Sequence, residues 1–571
     1  MKEKSVKALT PEQILERLDE QQRAAAESIL GPTVILAGAG TGKTRTVTHR
    51  IAYGIARGYY APNRILALTY TNRAAGELRD RLRQMGISGV SVKTFHAAAL
   101  SQLEYFWPQY AGVPAPPVIE SKARYIVRAA ESLGLMLDTA AVREVAGEIE
   151  WRKFSMLSMA QYAEIAATRP QIAGLSPAKN VALQTAYEDL KIKEQRLDWE
   201  DVLVLCLGLL RSEPRALAHV QQQYRFFTVD EYQDISPLQH ALLDEWLGEH
   251  NDICVVGDPN QTIYSFTGAS AAFLHGFASR FDGAAVVELT RNYRSKPHII
   301  ETANRIIRAN NSMAELQPTK AADAGDALLV QPRAFESAGD ELNWISYSIR
   351  QRLDQGTPAS QIAVLYRVNG QSEAIENALS RQNIDYQLRG GQRFFARPEI
   401  LQAILALRGE LIAPSTKPLF QTVSDICRSL GWQTQPPEQA GPLRDKWESL
   451  NALLGILDEL DNDATIVDFV AELDERQRSQ HEPTKEAVTL TTIHAAKGLE
   501  WQAVYVVGLT EGYLPIAYAQ AANEIEEERR LLYVAVTRAQ QQLSLSYAKR
   551  DSAGRPSSPS RFLRALEIES L

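Results

Sequence analysis

The chain has 571 residues, of which 45% are hydrophobic and 23% charged, a composition typical of globular proteins. This length is too great for one hydrophobic core, so several domains are expected. Its formal net charge of −8 argues by itself against nucleic-acid binding, yet residues 1–100 hold 15 Lys and Arg against 8 Asp and Glu. Part of the acidic excess lies in residues 403–485, with 14 Asp and Glu against 8 Lys and Arg. The N-terminal region can therefore still attract phosphates. The alternative is that its basic residues are scattered over the surface and have no function.

The three cysteines, Cys206, Cys254 and Cys427, lie far apart and form no Cys-x-x-Cys pair. This spacing argues against a disulfide framework or a zinc site and fits a reducing compartment. Residues 1–4 are not followed by the apolar run of a signal peptide, and the longest apolar stretch, residues 202–210, is about half of what spans a bilayer. We therefore expect a cytoplasmic protein that does not contact membranes.

Short apolar runs alternate with helical patterns, which predicts an α/β fold of parallel sheets with crossover helices. Residues 101–195 and 403–485 break this alternation with helical patterns alone, so we interpret each as a helical insertion. The predicted strands of a first sheet are residues 34–36, 65–68, 226–229 and 253–256, those of a second are 362–365 and 504–507, and helices are predicted over 73–85 and 374–382. The predicted domains are a first sheet domain (1–100 and 196–280) with insertion 101–195, and a second (281–402 and 486–571) with the short insertion 403–485.

Two motifs close predicted strands of the first sheet and indicate a nucleotide-hydrolysing site. A glycine-rich turn before a helix offers backbone N–H groups to phosphates, here in residues 37–44, AGAGTGKT. Lys43 would reach the β- and γ-phosphates, and Thr44 would bind Mg²⁺. Asp230 would hold the same Mg²⁺, and Glu231 would orient or deprotonate the attacking water. Alone, the GKT string could be a loop that needs glycines, but the acidic pair after a later strand makes that reading much weaker.

Together the motifs resemble those of superfamily 1A DNA helicases of the UvrD/PcrA/Rep family, and the resemblance covers most of the chain. Two of them, residues 94–100 and 262–268, look closest to an actinobacterial UvrD-like branch. The ordered motifs are residues 18–22 (LDEQQ), 37–44, 69–72 (TYTN), 94–96 (TFH), 230–234 (DEYQD), 257–268 (GDPNQTIYSFTG), 292–295 (NYRS), 390–400 (GGQRFFARPEI), 492–501 (TIHAAKGLEW) and 526–539. The resemblance implies two RecA-like motor domains, each with a mainly helical insertion, ATP in the cleft between the motors, and single-stranded DNA across their top.

The resemblance also implies roles at the ATP site. Gln22 would bind the adenine edge, Arg45 and Tyr293 would sandwich the ring, and Glu500 would contact the ribose. Gln261 would sense the γ-phosphate, and Arg294 and Arg538 would be arginine fingers that make hydrolysis depend on cleft closure. The implied nucleotide-binding set is completed by the phosphate loop: Ala37, Gly38, Ala39, Gly40, Thr41, Gly42, Lys43 and Thr44.

A motor that moves along DNA without reading its sequence needs backbone contacts and aromatic stacking. By resemblance, five residues would line the strand path: Tyr70, Thr71, His96, Tyr264 and Phe266. Core packing is the simpler explanation for each aromatic taken alone; position within the motifs favours DNA more for Tyr264 and Phe266 than for Tyr70 and His96. Thr267 departs from the family, which commonly has Arg there, so one polar element of ATP–DNA coupling is missing.

The resemblance predicts an ATP- and Mg²⁺-dependent 3′→5′ DNA helicase of the bacterial cytoplasm and nucleoid, acting in repair or replication restart. Its expected partners are single-stranded DNA, single-strand/duplex junctions and repair proteins, and the oligomeric state stays open. The short, acidic second insertion leaves duplex engagement open. It fits a less restrained helicase, or the alternative of a single-strand translocase that displaces proteins and needs a partner to unwind. Two other hypotheses are weaker: a scaffold would not need the complete hydrolytic set, and RNA or protein as substrate is disfavoured only by the resemblance.

Overall fold

The computed structural model describes residues 9–169, 172, 174–308, 313–322, 328–389, 395, 398–412, 417–433, 450, 453–460, 464–479, 486–517, 519–551 and 554–567. The chain divides into two compact units. Unit 1 is Met1–Thr290 with Ser312–Ala314, and unit 2 is Arg291–Asn311 with Glu315–Leu571.

A six-stranded parallel sheet forms the centre of unit 1. Its strands are β1 (Thr33–Ala37), β2 (Ile65–Thr69), β3 (Ser91–Thr94), β4 (Phe226–Val229), β5 (Ile253–Gly257) and β6 (Ala285–Leu289). Their order is β3-β2-β4-β5-β1-β6, with Val34 of β1 opposite Val255 on one side and Val286 on the other. The four central strands are almost wholly buried, because apolar clusters pack on both faces of the sheet.

The four strands predicted for the first sheet are confirmed as β1, β2, β4 and β5. The edge strands β3 and β6 were not predicted, because each alternates between more and less buried residues and so shows no continuous apolar run. Strand β6 also corrects the first domain boundary. The sequence places it at residue 280, but β6 pairs with β1, and unit 1 continues to Thr290.

Fourteen helices are described in unit 1, and most begin at a Ser, Thr or Asp whose side chain accepts a hydrogen bond from the first turn, as at Thr71, Thr94 and Ser236. They are α1 (Pro11–Glu16), α2 (Glu20–Glu27), α3 (Lys43–Ala56), α4 (Asn72–Gln84), α5 (Phe95–Ala111), α6 (Lys122–Ser132), α7 (Thr139–Phe154), α8 (Met159–Ile165), α9 (Pro177–Lys193), α10 (Trp199–Ser212), α11 (Pro214–Gln223), α12 (Pro237–Leu247), α13 (Ala272–His275) and α14 (Phe277–Arg280).

Helices α6 to α9 lie within the predicted first insertion, and α6, α7 and α9 share a small core that includes Ile126, Ile149 and Leu183. Buried charges join this insertion to the start of α10. Lys153 of α7 and Lys191 of α9 each place Nζ 2.7 Å from Oδ2 of Asp198, the residue that caps α10. Since a buried charge is stable only when paired, this network fixes the insertion on the sheet domain.

Unit 2 contains a second six-stranded parallel sheet. Its strands are β9 (Arg333–Phe335), β10 (Ile362–Tyr366), β11 (Tyr386–Arg389), β12 (Val488–Thr492), β13 (Trp501–Val506) and β14 (Ala539–Ala548); the short strands β7 (Arg291–Asn292) and β8 (Gln317–Pro318) pair separately. The order is β11-β12-β10-β13-β14-β9. Strands β10 and β13 correspond to the two predicted runs, so the α/β class with two parallel sheets is confirmed.

The described helices of unit 2 are α15 (Pro297–Ile307), α16 (Ala338–Asp354), α17 (Ser372–Arg381), α18 (Pro398–Ile412), α19 (Leu419–Ser429), α20 (Ile466–Ser479) and α21 (Ala522–Val536). Helices α18 to α20 supply most of the described part of the predicted second insertion and pack around Leu407, Val423 and Phe469. Most of the motif at residues 390–400 lies outside the described residues. Among the helices that the structure does describe, none combines the length and apolarity needed to cross a membrane.

Candidate nucleotide and DNA sites

The phosphate loop connects β1 to α3 and leaves the start of that helix open. Gly42 precedes α3 with φ 84°, and no side chain caps the helix, so its first N–H groups remain available to an anion. A Cβ atom at residue 42 would also lie 2.8 Å from Nε2 of Gln22, so a larger residue there would displace the Gln22 side chain. Lys43 donates from Nζ to the carbonyl oxygen of Ala37, 3.0 Å away, so its ammonium group folds back over the loop.

Gln22 takes part in the loop itself. It is buried on α2, donates from Nε2 to the carbonyl of Thr41 at 3.0 Å, and shares a reciprocal cap with Asp19. Its carboxamide therefore already supports the phosphate loop in addition to the adenine contact that the resemblance implies. Arg45, the residue expected to stack on adenine, donates to the carbonyl oxygen of Arg17.

The predicted acidic pair follows β4, two strands away from β1. Glu231 donates its backbone N–H to Oδ1 of Asp230 at 2.9 Å and has φ 54°, a left-handed conformation that costs a residue other than glycine on the order of 1 kcal/mol. Burial, followed by the charge of Glu231, raises the pKa of Asp230 to about 7, and the nearby ammonium of Lys43 opposes this shift. The acidic pair and Lys43 therefore share one electrostatic environment.

Asp258 is a site residue that the sequence analysis missed. It follows β5, the strand between β4 and β1, and is completely buried. Burial raises the pKa of its carboxyl group, with Lys43 acting in the opposite direction. Its Oδ2 accepts a hydrogen bond of 2.7 Å from Nε2 of Gln261, the predicted γ-phosphate sensor. An aspartate directly after a central strand, as Asp230 also is, was the signal that could have identified it.

This half of the site suits Mg²⁺ by its chemistry. Asp230 and Asp258 are buried carboxyl groups with raised pKa values, and each is repelled by Glu231 and attracted by the charge of Lys43, so a bound cation would relieve this repulsion. Within the part of the chain that the structure describes, no group of three or more His, Cys, Asp or Glu side chains is arranged to hold a metal ion. Thr44 and Asp230 are the residues that could hold Mg²⁺, with phosphate oxygens and water as its other ligands.

The two predicted arginine fingers lie together in unit 2 and meet at Thr537. Arg294 donates from Nη1 to the carbonyl of Thr537 at 3.2 Å, and Arg538 donates from Nη2 to its hydroxyl at 3.1 Å. Arg294 also pairs with Glu500, the predicted ribose contact, at 2.5 Å between Nε and Oε2. Tyr293 exposes 42% of its surface, which leaves its ring accessible to an adenine.

The predicted DNA contacts lie in unit 1, beside one another. Tyr70 and Tyr264 stack with ring centroids 5.6 Å apart, and Tyr70 is 39% exposed. His96 and Tyr70 line a cavity of about 240 Å³, in which the Nε2 atom of His96 is buried and without a hydrogen-bond partner among the described residues. Thr71 accepts from the N–H of Ala74 and so fixes the start of α4.

The segment after Tyr264 is closed by Thr267, the residue that departs from the family. Its hydroxyl donates to the carbonyl of Tyr264 at 2.8 Å. The side chain of Phe266 lies outside the described part of the chain. The structure thus brings the predicted DNA residues Tyr70, His96 and Tyr264 to one region of unit 1.

Comparison with known proteins identifies the family of this chain. The family model of the UvrD/REP helicase N-terminal domain matches residues 18–282, and that of the UvrD-like helicase C-terminal domain matches residues 287–435 and 415–550. The ATP-dependent DNA helicase UvrD2 of Mycobacterium tuberculosis is 42% identical over 582 residues, covering 98% of this chain and 83% of that protein. The ATP-dependent DNA helicase PcrA of Leuconostoc citreum is 31% identical, covering 99% and 86%, and DNA helicase II of Salmonella typhimurium is 29% identical, covering 97% and 88%. The predicted resemblance is thereby confirmed, and the chain belongs to the UvrD/Rep helicase family.

Proposed function

We propose that this ATP-dependent DNA helicase translocates 3′→5′ on single-stranded DNA and unwinds duplex DNA in repair or replication restart. One observation carries the proposal. Lys43, Asp230, Glu231 and Asp258 follow the carboxyl ends of the three adjacent strands β1, β4 and β5, the edge at which α/β sheets bind their ligands, in a chain that matches both halves of the helicase family.

The chemistry follows from the arrangement at this edge. The uncapped start of α3 and the ammonium of Lys43 would bind the phosphates of ATP, and the carboxylate of Glu231 would accept a proton from the attacking water. Thr44 and Asp230 would hold Mg²⁺. When bound, this ion neutralises charge on the phosphate oxygens.

Arg294 and Arg538 would stabilise the charge of the transition state, an effect typically worth about 10³–10⁵ in rate. Thr537 holds both guanidinium groups, so the two arginines can act as one unit. Because both arginines belong to the second motor domain, hydrolysis would depend on closure of the cleft between the two motor domains that the family implies.

On the DNA side, Tyr70 and Tyr264 would stack on bases, each stack being worth roughly 1–3 kcal/mol without reading sequence. Single-stranded DNA and its junctions with duplex are therefore the proposed partners, in the bacterial cytoplasm and with repair proteins as further partners.

The short second insertion is compatible with this proposal and also with one alternative, a single-strand translocase that displaces proteins and needs a partner to unwind. The test that separates translocation from unwinding is ATP-driven removal of streptavidin from a biotin at either end of a single strand. Removal from the 5′ end alone supports 3′→5′ movement whether or not duplex is unwound. Removal from the 3′ end alone, or from neither end by a protein that hydrolyses ATP, would refute the proposed polarity or movement.

A further inference from the structure

Gln233 lies two residues after Glu231, the proposed catalytic base. It is completely buried, within a single helical turn that spans Tyr232–Asp234 directly after Glu231. Its Nε2 donates to Oε2 of Glu231 at 2.5 Å and to Oδ2 of Asp234 at 3.2 Å. Its Oε1 accepts the backbone N–H of Asp258 at 3.1 Å. All three polar contacts of this carboxamide are thus made with site residues or with their immediate neighbours.

These partners determine which way the carboxamide points. The N–H groups face two carboxylates, and the oxygen faces a backbone donor. A carboxylate accepts hydrogen bonds only, so the reverse orientation would place three acceptor groups against one another. A neutral group with a donor at one end and an acceptor at the other is therefore required at this position.

The end of β5 is shaped around this side chain. A Cβ atom on Gly257 would lie 2.6 Å from Oε1 of Gln233 and 2.8 Å from Cδ2 of Leu274, closer than side-chain atoms can approach. The backbone of β5 can therefore approach the carboxamide only because residue 257 is glycine. This is evidence, independent of the hydrogen bonds, that the contact between the acidic turn and β5 is closely packed.

We propose that Gln233 is a positioning residue for ATP hydrolysis, which holds the carboxylate of Glu231 in place and ties it to the segment that begins at Asp258. The inference rests on the proposed role of Glu231 as the base. The backbone of Glu231 is in the left-handed region, a conformation that persists only where the surroundings hold it. The hydrogen bond from Gln233 fixes the position of the Glu231 carboxylate. The other end of the carboxamide reaches Asp258, whose carboxylate holds Gln261. Gln233 thereby joins the proposed base to the proposed γ-phosphate sensor.

The test replaces Gln233 by Met, which has a similar volume and removes the hydrogen bonds. Gln102→Met is the matched control, because Gln102 is also a buried glutamine of unit 1, accepting at Oε1 from Nε1 of Trp246 at 2.9 Å, but lies outside both sites. ATP hydrolysis with saturating single-stranded DNA gives kcat and KM, and a fluorescent nucleotide analogue gives the Kd. Gln233→Met should lower kcat at least tenfold, since a displaced general base forfeits part of a contribution of about 10²–10⁴. KM and the nucleotide Kd should stay within about twofold for both variants, and kcat of Gln102→Met should match wild type.

A double-mutant cycle with Glu231→Gln separates positioning from a structural role. If Gln233 acts through Glu231, Gln233→Met should lower kcat by less than about threefold once Glu231 is already Gln. An equal loss of kcat in both backgrounds, or a kcat of Gln233→Met within twofold of wild type, would overturn the inference. If Glu231→Gln itself hydrolyses ATP at the wild-type rate, the proposed role of Glu231 has failed instead, and that result is read from the single variant alone.

Discussion

His96 should make the stability of unit 1 depend on pH. Its imidazole lies edge-on to the rings of Phe154 and Trp199, with centroids 6.2 and 6.0 Å away. Burial, with a smaller contribution from the charge of Lys122, lowers the pKa of His96 from 6.5 to about 4. The folded protein therefore resists protonation of this ring, whereas the unfolded chain accepts the proton near pH 6.5.

The sign and size of the effect follow from this difference. Between pH 6.5 and 4 the unfolded state binds more protons at His96 than the folded state, so the free energy of unfolding falls as the pH falls through this window. With the folded pKa at about 4, the loss between pH 7.5 and pH 5 is about 2 kcal/mol. The free energy of unfolding continues to fall until the pH is below 4, where the full loss is about 3.4 kcal/mol.

The assay is urea unfolding of wild type and His96→Asn at both pH values, followed by tryptophan fluorescence. Other groups titrate too, including Asp230 and Glu200, whose pKa values burial raises to about 7, but they are common to both proteins and cancel in the difference. The difference in unfolding free energy, wild type minus variant, should be about 2 kcal/mol larger at pH 7.5 than at pH 5. A difference that is the same at both pH values would refute the assigned burial of His96.

Three further predictions concern the two sites. Lys43→Ala should abolish ATP hydrolysis while the circular dichroism spectrum and unfolding midpoint stay those of wild type; substantial turnover by the folded variant would refute the phosphate-loop assignment. Tyr264→Ala should weaken DNA binding by roughly 1–3 kcal/mol, and it should reduce the stimulation of ATP hydrolysis by single-stranded DNA more than it weakens nucleotide binding. Equal losses of DNA stimulation and nucleotide binding would indicate a packing role. Gly257→Ala should destabilise unit 1 by about 1–3 kcal/mol in urea unfolding, since its Cβ would lie 2.6 Å from Gln233; unchanged stability would show that β5 is not closely packed there.

The strands that carry the nucleotide site could be predicted because central strands of a parallel sheet are buried on both faces. Strands β1, β2, β4 and β5 are continuous apolar runs for this reason. The edge strand β6 has Val286 and Glu288 exposed, so no comparable run marks it, and the domain boundary was placed too early. Strand β14 was missed as well, because Gln540, Gln541 and Gln542 interrupt its apolar residues and only its pairing with β13 and β9 defines it.

The site shows the same division between local and tertiary information. Lys43 and Thr44 begin α3, directly after a loop whose glycines have a local cause, so this motif was recognisable in the sequence. Asp258 has the same position after β5 that Asp230 has after β4, but a single aspartate after a glycine is a weak signal. The role inferred for Gln233 depends on its contact with Asp258, 25 residues further along the chain, which no local pattern reveals.

The salt dependence of single-strand DNA binding reports the number of phosphate contacts. The logarithm of the single-strand binding constant should fall linearly with the logarithm of salt concentration, with a slope of about −0.7 per phosphate contact. Tyr264→Ala should leave this slope unchanged, because stacking neutralises no phosphate.

Strand displacement tests the central claim most directly. Two matched duplexes, one with a 3′ and one with a 5′ single-stranded tail, are incubated with the protein, ATP and Mg²⁺. We expect unwinding of the 3′-tailed duplex alone, which would also show that the short second insertion suffices for duplex engagement. Unwinding of the 5′-tailed duplex alone would contradict the proposed polarity. Failure to unwind either, by protein that hydrolyses ATP on single strands, would contradict the helicase assignment and favour the translocase.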